Sequence, residues 1–256
     1  MFSENFLLND YLTRIQYTGP VDKNLDTLVN LMRAQLRTVP FENLDVQAGK
    51  IVSLVPEDIV NKIVYNNRGG YCYEVNGLFS MALQAIGFEY DIIGARPMFY
   101  PHRRPKSHMV LLVKVGAERW LCDTGFGSFG MRAPIGLHQV GQVIRQDNET
   151  FLLENNEGGE YVLKALVKGE WANQFCTDVY PMEWIDFSLP NYYNSTHPDA
   201  VFVKQYLVML QRQNGRTLLS GNQLKQWEES KEEIMEVGPT QIDDILWREF
   251  KLRRES

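Results

Sequence analysis

Cysteine is scarce in this chain: three among 256 residues, at positions 72, 122 and 176. An odd, scattered set does not describe a disulfide framework, which excludes the small stapled secreted domains. Neither a Cys-x-x-Cys pair nor a helical His-x-x-x-His occurs, so metal-ligand spacing is absent and no metal is expected. Long apolar runs are missing too: none approaches the roughly 18 residues or more of a membrane span. The opening Met-Phe-Ser-Glu-Asn-Phe lacks the charged start and apolar stretch of a secretion signal, and a cytoplasmic location is expected. Positive charge is not in excess. The net charge is −6 with a pI near 5.3, and without a basic stripe a nucleic-acid surface is excluded. Repeats and low-complexity segments are absent.

What is present is a globular composition. Hydrophobic residues make up 44% and charged residues 23%, enough for one large domain or several regions sharing a core. The chain is organised around residues 65–87. From Cys72 onward Val75, Leu78, Phe79, Ala82, Leu83 and Ile86 recur at three- and four-residue steps, the stripe of a helix with one buried face. Gly87 follows the last of them and suits a left-handed C-terminal turn. Gly69-Gly70 lets the backbone turn ahead of it, so the helix begins near Tyr71 or Cys72. A free cysteine is most often a small buried apolar residue. In the first turn of a helix, however, unpaired N–H groups and the helix dipole favour an anion, and a thiol there gains nucleophilic character.

The first 87 residues read as helices. Leu25, Leu28, Val29, Met32 and Leu36 form one stripe that ends at Pro40, leaving Pro40-Phe41-Glu42-Asn43-Leu44 as a loop. Ile59, Ile63 and Val64 suggest a second helix, begun by Pro56-Glu57-Asp58. From residue 88 the period becomes that of strands: 90–96, 108–115 and 119–123, the last two joined by a Gly116-Ala117 turn, then 150–154, 160–167 and 170–176. Asn191-Tyr192-Tyr193-Asn194-Ser195 breaks the pattern. Strands are expected at 201–212 and 216–220, then a charged helix containing Ile234 and a final helix with Ile242, Ile245, Leu246 and Phe250.

A cysteine nucleophile needs a base for its proton and a third group to orient that base. His108 opens one strand of the hairpin and Asp123 closes the other, and antiparallel pairing brings such ends together. Taken singly, His108 reads as a backbone-bonded strand-end histidine and Asp123 as a turn former before Gly125. With Cys72 they make a set, because helix-start Cys, strand-start His and strand-end Asp is the order of papain-like and transglutaminase-like enzymes. Cys122 and Cys176 lie within strands and read as inert packing residues.

The chain resembles the arylamine N-acetyltransferases along nearly its whole length. Arg68-Gly69-Gly70-Tyr71-Cys72-Tyr73-Glu74-Val75-Asn76 matches that family's nucleophile motif, and Pro40-Phe41-Glu42-Asn43-Leu44-Asp45 its segment after the second helix. The stretches starting at His108 and Asp123 resemble those carrying its histidine and aspartate, and Ser195-Thr196-His197-Pro198 with Phe202 resembles a weaker signature. Thr124 and Asp199 depart from the usual residues. The resemblance implies an α+β fold with a cysteine-proteinase-like core: a helical bundle over 1–87, an antiparallel β-barrel over 88–190 and an α/β lid over 191–256. It further implies ping-pong N-acetylation of arylamines and arylhydrazines in xenobiotic metabolism. Acetyl-CoA would be the donor, Cys72, His108 and Asp123 the catalytic triad, and an acetyl-Cys72 the intermediate. Phe41, Phe126 and Phe202 would wall the amine pocket, while Gly125, Gly127 and Tyr193 would meet coenzyme A. Glu42 and Asn43 would support Arg68, clamping their loop to the nucleophile helix. The basic loop Arg103-Arg104-Pro105-Lys106 is a further place for cofactor phosphates. A cysteine hydrolase or transglutaminase-type acyl transferase with the same triad is the alternative.

Overall fold

The computed structural model describes residues 1–229 and 231–254. Its N-terminal part is helical: α1 Leu8–Arg14, α2 Leu25–Thr38, α3 Leu44–Gln47, α4 Pro56–Val60 and α5 Cys72–Ile86. Asn24 caps α2, its side chain accepting the Thr27 N–H at 2.9 Å. Pro56 opens α4, where a missing N–H costs nothing. Gly87 closes α5 with φ of +96°. The sequence suggests one buried face for α5, but Cys72 through Leu83 are buried all round. Helices α1 and α4 pack on it from one side and the sheet from the other, and its polar residues Glu74, Asn76 and Ser80 are each hydrogen-bonded.

The middle of the chain forms β1 Glu89–Pro97, β2 His108–Val115, β3 Glu118–Cys122, β4 Ile135–Gly136, β5 Val143–Gln146, β6 Glu149–Asn155, β7 Tyr161–Val167 and β8 Glu170–Thr177. They make one antiparallel sheet in the order β4-β3-β2-β1-β8-β7-β6-β5. Strands β4 and β5 end that order without pairing, so the expected barrel is a curled half-barrel. Strand β4 is two residues long and cannot carry the closure. The core joins α2, α4 and α5 to this sheet, with Leu28, Met32, Phe79, Val110, Leu121 and Phe151 among its fully buried members.

Beyond the half-barrel come α6 Ser188–Thr196 and α7 Val201–Lys204. A second antiparallel sheet follows, of β9 Leu207–Arg212, β10 Gly215–Ser220, β11 Gln223–Glu228 and β12 Lys231–Glu236, with α8 Ile242–Phe250 after it. Three local readings change here. Residues 191–195 lie in α6, whose Pro190 sits in the first turn, where it removes no helical bond. Residues 201–204 are a short helix, so the strand begins at Leu207. The charged segment around Ile234 is strand β12 at the sheet edge. Its residues are all exposed, and charges on an edge strand discourage pairing with another chain. Val208, Leu219, Leu224, Leu246 and Phe250 give this part its own core. Among the described residues no helix is long and apolar enough to cross a membrane.

Candidate active site

Helix α5 places Cys72 at its first turn, and the β2–β3 hairpin places His108 and Asp123 at its open end. The three are brought together: Cys72 and His108 line one cavity, and His108 pairs with Asp123. His108 Nε2 lies 2.7 Å from Asp123 Oδ2, and Cys72 acts on the same imidazole, favouring its charged form. With Nε2 engaged by the carboxylate, Nδ1 is the nitrogen left for the sulfur. All three are buried, Cys72 3%, His108 4% and Asp123 1% exposed. Burial opposes a charged imidazole; the charge and hydrogen bond of Asp123, with Cys72 adding to them, overcome it and raise the His108 pKa to about 10.

That shift has a measurable consequence. A group with a raised folded pKa contributes its full stability below its unfolded value, near 6.5 for histidine, and loses it as pH rises through about 10. The Tm difference between wild type and His108→Gln is therefore expected to shrink steadily across that window. A difference independent of pH between 6.5 and 10 would refute the charged imidazole.

Asp123 is itself held in place. Its Oδ1 accepts from Gly125 N–H at 2.8 Å and from Asn76 Nδ2 at 3.1 Å. Asn76 Nδ2 also donates to Met109 O at 2.8 Å, and its Oδ1 accepts the Thr124 N–H and hydroxyl at 2.8 and 2.9 Å. One amide thus couples α5 to strand β2 and to the segment that follows β3. Gln35 of α2 adds a second tie, donating to Val75 O at 2.8 Å and Thr124 Oγ1 at 3.0 Å. Neither residue is assigned a role from the sequence, although Asn76 ends the matched motif, and both leave a trace. Asn76 is one turn from Cys72, and Gln35 is a polar residue on the apolar stripe of α2. Close approach explains Gly125: a Cβ there would lie 2.6 Å from the Cys72 Cα. Gly125→Ala is expected to displace the loop carrying Asp123 and lower turnover at least about tenfold, since misplacement by about an ångström is that costly. Unchanged turnover in that variant would show the contact to be unimportant.

A cavity of about 270 Å³ opens onto Cys72 and His108. Phe41, Phe126 and Phe202 line it, as do Gly125, Gly127 and Tyr193, so the six expected substrate and coenzyme contacts share one space. Phe41 and Phe202 lie with ring centroids 6.0 Å apart, and Phe126 meets the His108 ring edge-on at 5.1 Å. Tyr193 sits on α6 rather than in a loop, its ring stacked on His197. Pro97, Phe99, Tyr100 and Arg104 also face this space. Of the basic loop, Arg103 is exposed near Glu160 and Lys106 pairs with Asp178, while Arg104 turns into the cavity.

Arg68, Glu42 and Asn43 stand outside the cavity. Arg68 is buried, its Nε 2.9 Å and its Nη2 2.8 Å from Glu42 Oε1, and Asp45 Oδ1 is 3.2 Å from Nη2. Asn43 does not add to this pair. Its amide donates to Phe202 O and Gln205 O at 2.7 and 2.8 Å and accepts from Leu207 N–H at 2.8 Å, tying the C-terminal segment to the loop. Lys62 completes the cluster, 2.6 Å from Glu74 and also paired with Asp45. Glu74 Oε2 accepts the Tyr71 N–H at 3.0 Å, capping α5. Burial, opposed by Lys62 and reinforced by the charges of Glu42 and Asp45, pushes the Glu74 carboxyl up to about 7. Cys122 and Cys176 are buried in strands, and burial raises both thiols above their ordinary range. Among the described residues no group of His, Cys, Asp and Glu could hold a metal ion.

Comparison with known proteins identifies the family. The profile of a family described as N-acetyltransferase matches residues 24–255. The arylamine N-acetyltransferase of Mycolicibacterium smegmatis is 36% identical over 224 residues, covering 85% of this chain and 81% of that protein. The Escherichia coli (strain K12) arylamine N-acetyltransferase is 32% identical over 205 residues, covering 79% and 72%. Among solved structures, arylamine N-acetyltransferase from M. tuberculosis superposes with a TM-score of 0.91 at 31% identity, covering 95% of this chain and 93% of its own. That of Mycobacterium marinum in complex with CoA superposes with a TM-score of 0.90 at 30% identity, covering 96% and 92%. With its profile matched from residue 24 to 255 and its fold shared along the whole length, the chain belongs to the arylamine N-acetyltransferase family of acyltransferases.

Proposed function

We propose that this enzyme moves an acetyl group from acetyl-CoA to aromatic amines and hydrazines by a ping-pong route through an S-acetyl Cys72. The observation that carries the reading is that Cys72 and the Asp123-paired His108 stand together at the wall of an aromatic cavity. In the first half-reaction the Cys72 thiolate attacks the thioester carbonyl. The carbon–sulfur bond to coenzyme A breaks, and the leaving sulfur takes the proton of the His108 imidazolium. One thioester replaces another at little cost in free energy. In the second, the amine nitrogen attacks the acetyl carbonyl, His108 accepts its proton, and Cys72 departs as the thiolate; amide formation drives this step forward.

Asp123 orients the imidazole and stabilises its cation. The Cys72 N–H, at the start of α5, is one donor to the oxyanion; the Gly125 N–H is committed to Asp123. Phe41, Phe126 and Phe202 offer flat apolar walls to a flat apolar ring. Gly125 and Gly127 leave room for the acyl group and pantetheine, and Tyr193 meets coenzyme A. The complex of the M. marinum relative with CoA supports that donor. Glu42 and Arg68 hold the Phe41 loop to the nucleophile helix, and Asn43 holds it to the C-terminal segment. We read three working regions, 1–87, 88–190 and 191–256, of which the first two supply the triad and the third closes the cleft. The division near 190 passes through α6. Clearance of foreign aromatic amines in the cytoplasm, without a metal, fits this chemistry.

The test is single turnover with acetyl-CoA alone, followed by mass spectrometry and release with a panel of amines and hydrazines. One acetyl group on the peptide containing Cys72, removed by an aromatic amine, is expected. A hydrolase using the same three residues would leave acetyl-CoA intact and cleave or deamidate peptides instead.

A further inference from the structure

The cavity contains a cation that the reaction above does not use. Of the charged side chains lining it, His108 is engaged by Asp123, and Asp199 is exposed and paired with Lys204 at 3.3 Å. Arg104 remains. Its guanidinium lies 4.7 Å from the centre of the Tyr100 ring, and Nη1 donates to the Tyr193 hydroxyl at 3.0 Å. Its Nε is buried without a hydrogen-bond partner. The flanking cations of the same loop face outward toward carboxylates, Arg103 to Glu160 and Lys106 to Asp178. Arg104 alone of the three points inward, and among the described residues no carboxylate pairs with it.

A partly desolvated guanidinium with an unused N–H is costly unless a ligand supplies the anion. Its planar fork matches a carboxylate or another oxyanion. A space of about 270 Å³ accommodates a substituted benzene ring and one acyl arm, not the nucleotide end of coenzyme A. Resting on the acetyl-transfer reading, we propose that Arg104 is a specificity-determining residue. It recognises an acidic substituent on the acceptor, so this enzyme prefers aromatic amines of the aminobenzoate class over neutral ones. The amine end of such a substrate is acetylated at Cys72, and its carboxylate meets the Nε side of Arg104.

The experiment compares wild type, Arg104→Gln and Arg104→Lys with 4-aminobenzoate and with neutral 4-methoxyaniline. Acetylation of Cys72 by acetyl-CoA alone is followed separately by mass spectrometry. The ratio of kcat/KM for 4-aminobenzoate to that for 4-methoxyaniline is expected to fall about 10- to 100-fold in Arg104→Gln, the range for hydrogen bonds to charged groups. The loss should reside in KM, and Arg104→Lys, which keeps the charge but not the fork, should fall between. An unchanged ratio overturns the proposal. So does a loss confined to Cys72 acetylation that more acetyl-CoA restores, which would assign Arg104 to the phosphates of coenzyme A. Failure of wild-type Cys72 to take any acetyl group would instead remove the acetyl-transfer reading, and this inference with it.

Discussion

Cys72→Ala is expected to abolish acetyl transfer and to leave no acetyl label on the protein after exposure to acetyl-CoA. The sulfur shares the cavity with His108, which Asp123 engages, and among the described residues no other thiol faces that space. Without it the proposed route has no covalent carrier, and a drop of roughly 10⁴-fold or more is the scale for losing such a group. The substitution removes one atom from a site only 3% exposed, so folding should persist, which near-ultraviolet circular dichroism would confirm. Cys72→Ser keeps the geometry but offers a hydroxyl that an imidazole cannot ionise comparably, and it should be inactive as well. Cys122→Ser serves as the contrast, because that thiol is sealed within β3 and its loss should spare labelling. Appreciable turnover by the alanine variant would remove the nucleophile assignment.

Arg68→Met is expected to lower folding stability by about 3–5 kcal/mol, the cost of stranding a buried carboxylate. For a chain of this size that corresponds to a fall in Tm of roughly 6–20 °C. The reason is local. Glu42 is 1% exposed and takes two guanidinium nitrogens, and Lys62 stands 3.9 Å from it, too distant to replace them. Glu42 also accepts the Leu44 N–H at 2.7 Å, so its displacement should loosen the turn that presents Phe41 to the cavity. The double variant Glu42→Leu with Arg68→Met should recover part of the loss, since removing both charges strands neither. Urea denaturation of the two single variants and the double variant checks this. A single-variant cost below about 1 kcal/mol would place the pair among exposed, weakly contributing ion pairs.

Much of the site was legible in residue order. The apolar stripe after Cys72, the Gly-Gly before it and Gly87 after it define α5 through local rules of helix starts and stops, and its bounds, Cys72–Ile86, follow them. The Gly116-Ala117 turn sets the β2–β3 register, and that register brings a strand-start histidine to a strand-end aspartate. Arg68 in a glycine-flanked stretch needed a carboxylate, and Glu42 supplies it. Less legible were segments whose local signals conflict. The run around Ile234 has the charge of an exposed helix and becomes strand β12 because β11 offers it a free edge. Residues 191–195 read as a break because of their polarity; they form helix α6, where Asn191 and Asn194 are buried and hydrogen-bonded across to Val52 and Ser107. Gly125 and Gly127 could be named, but not what each approaches, since packing sets Gly125 against Cys72 of α5 and Gly127 against the Phe41 ring.

By itself the order of residues determined which groups can react and which short elements carry them, because helix starts, turns and strand pairing are governed by neighbours along the chain. Only the tertiary structure decided what stands around them. It turned Arg104 inward and Arg103 outward, made Asn76 the tie between helix and hairpin, and used Asn43 to hold the C-terminal segment. The half-barrel stays open for the same kind of reason, since its closure depends on how far β4 and β5 lie apart. Such contacts join residues 33 to 164 positions apart, and sequence spacing carries no information about them. They follow from how rigid elements fill space together and from the cost of leaving buried polar groups without partners.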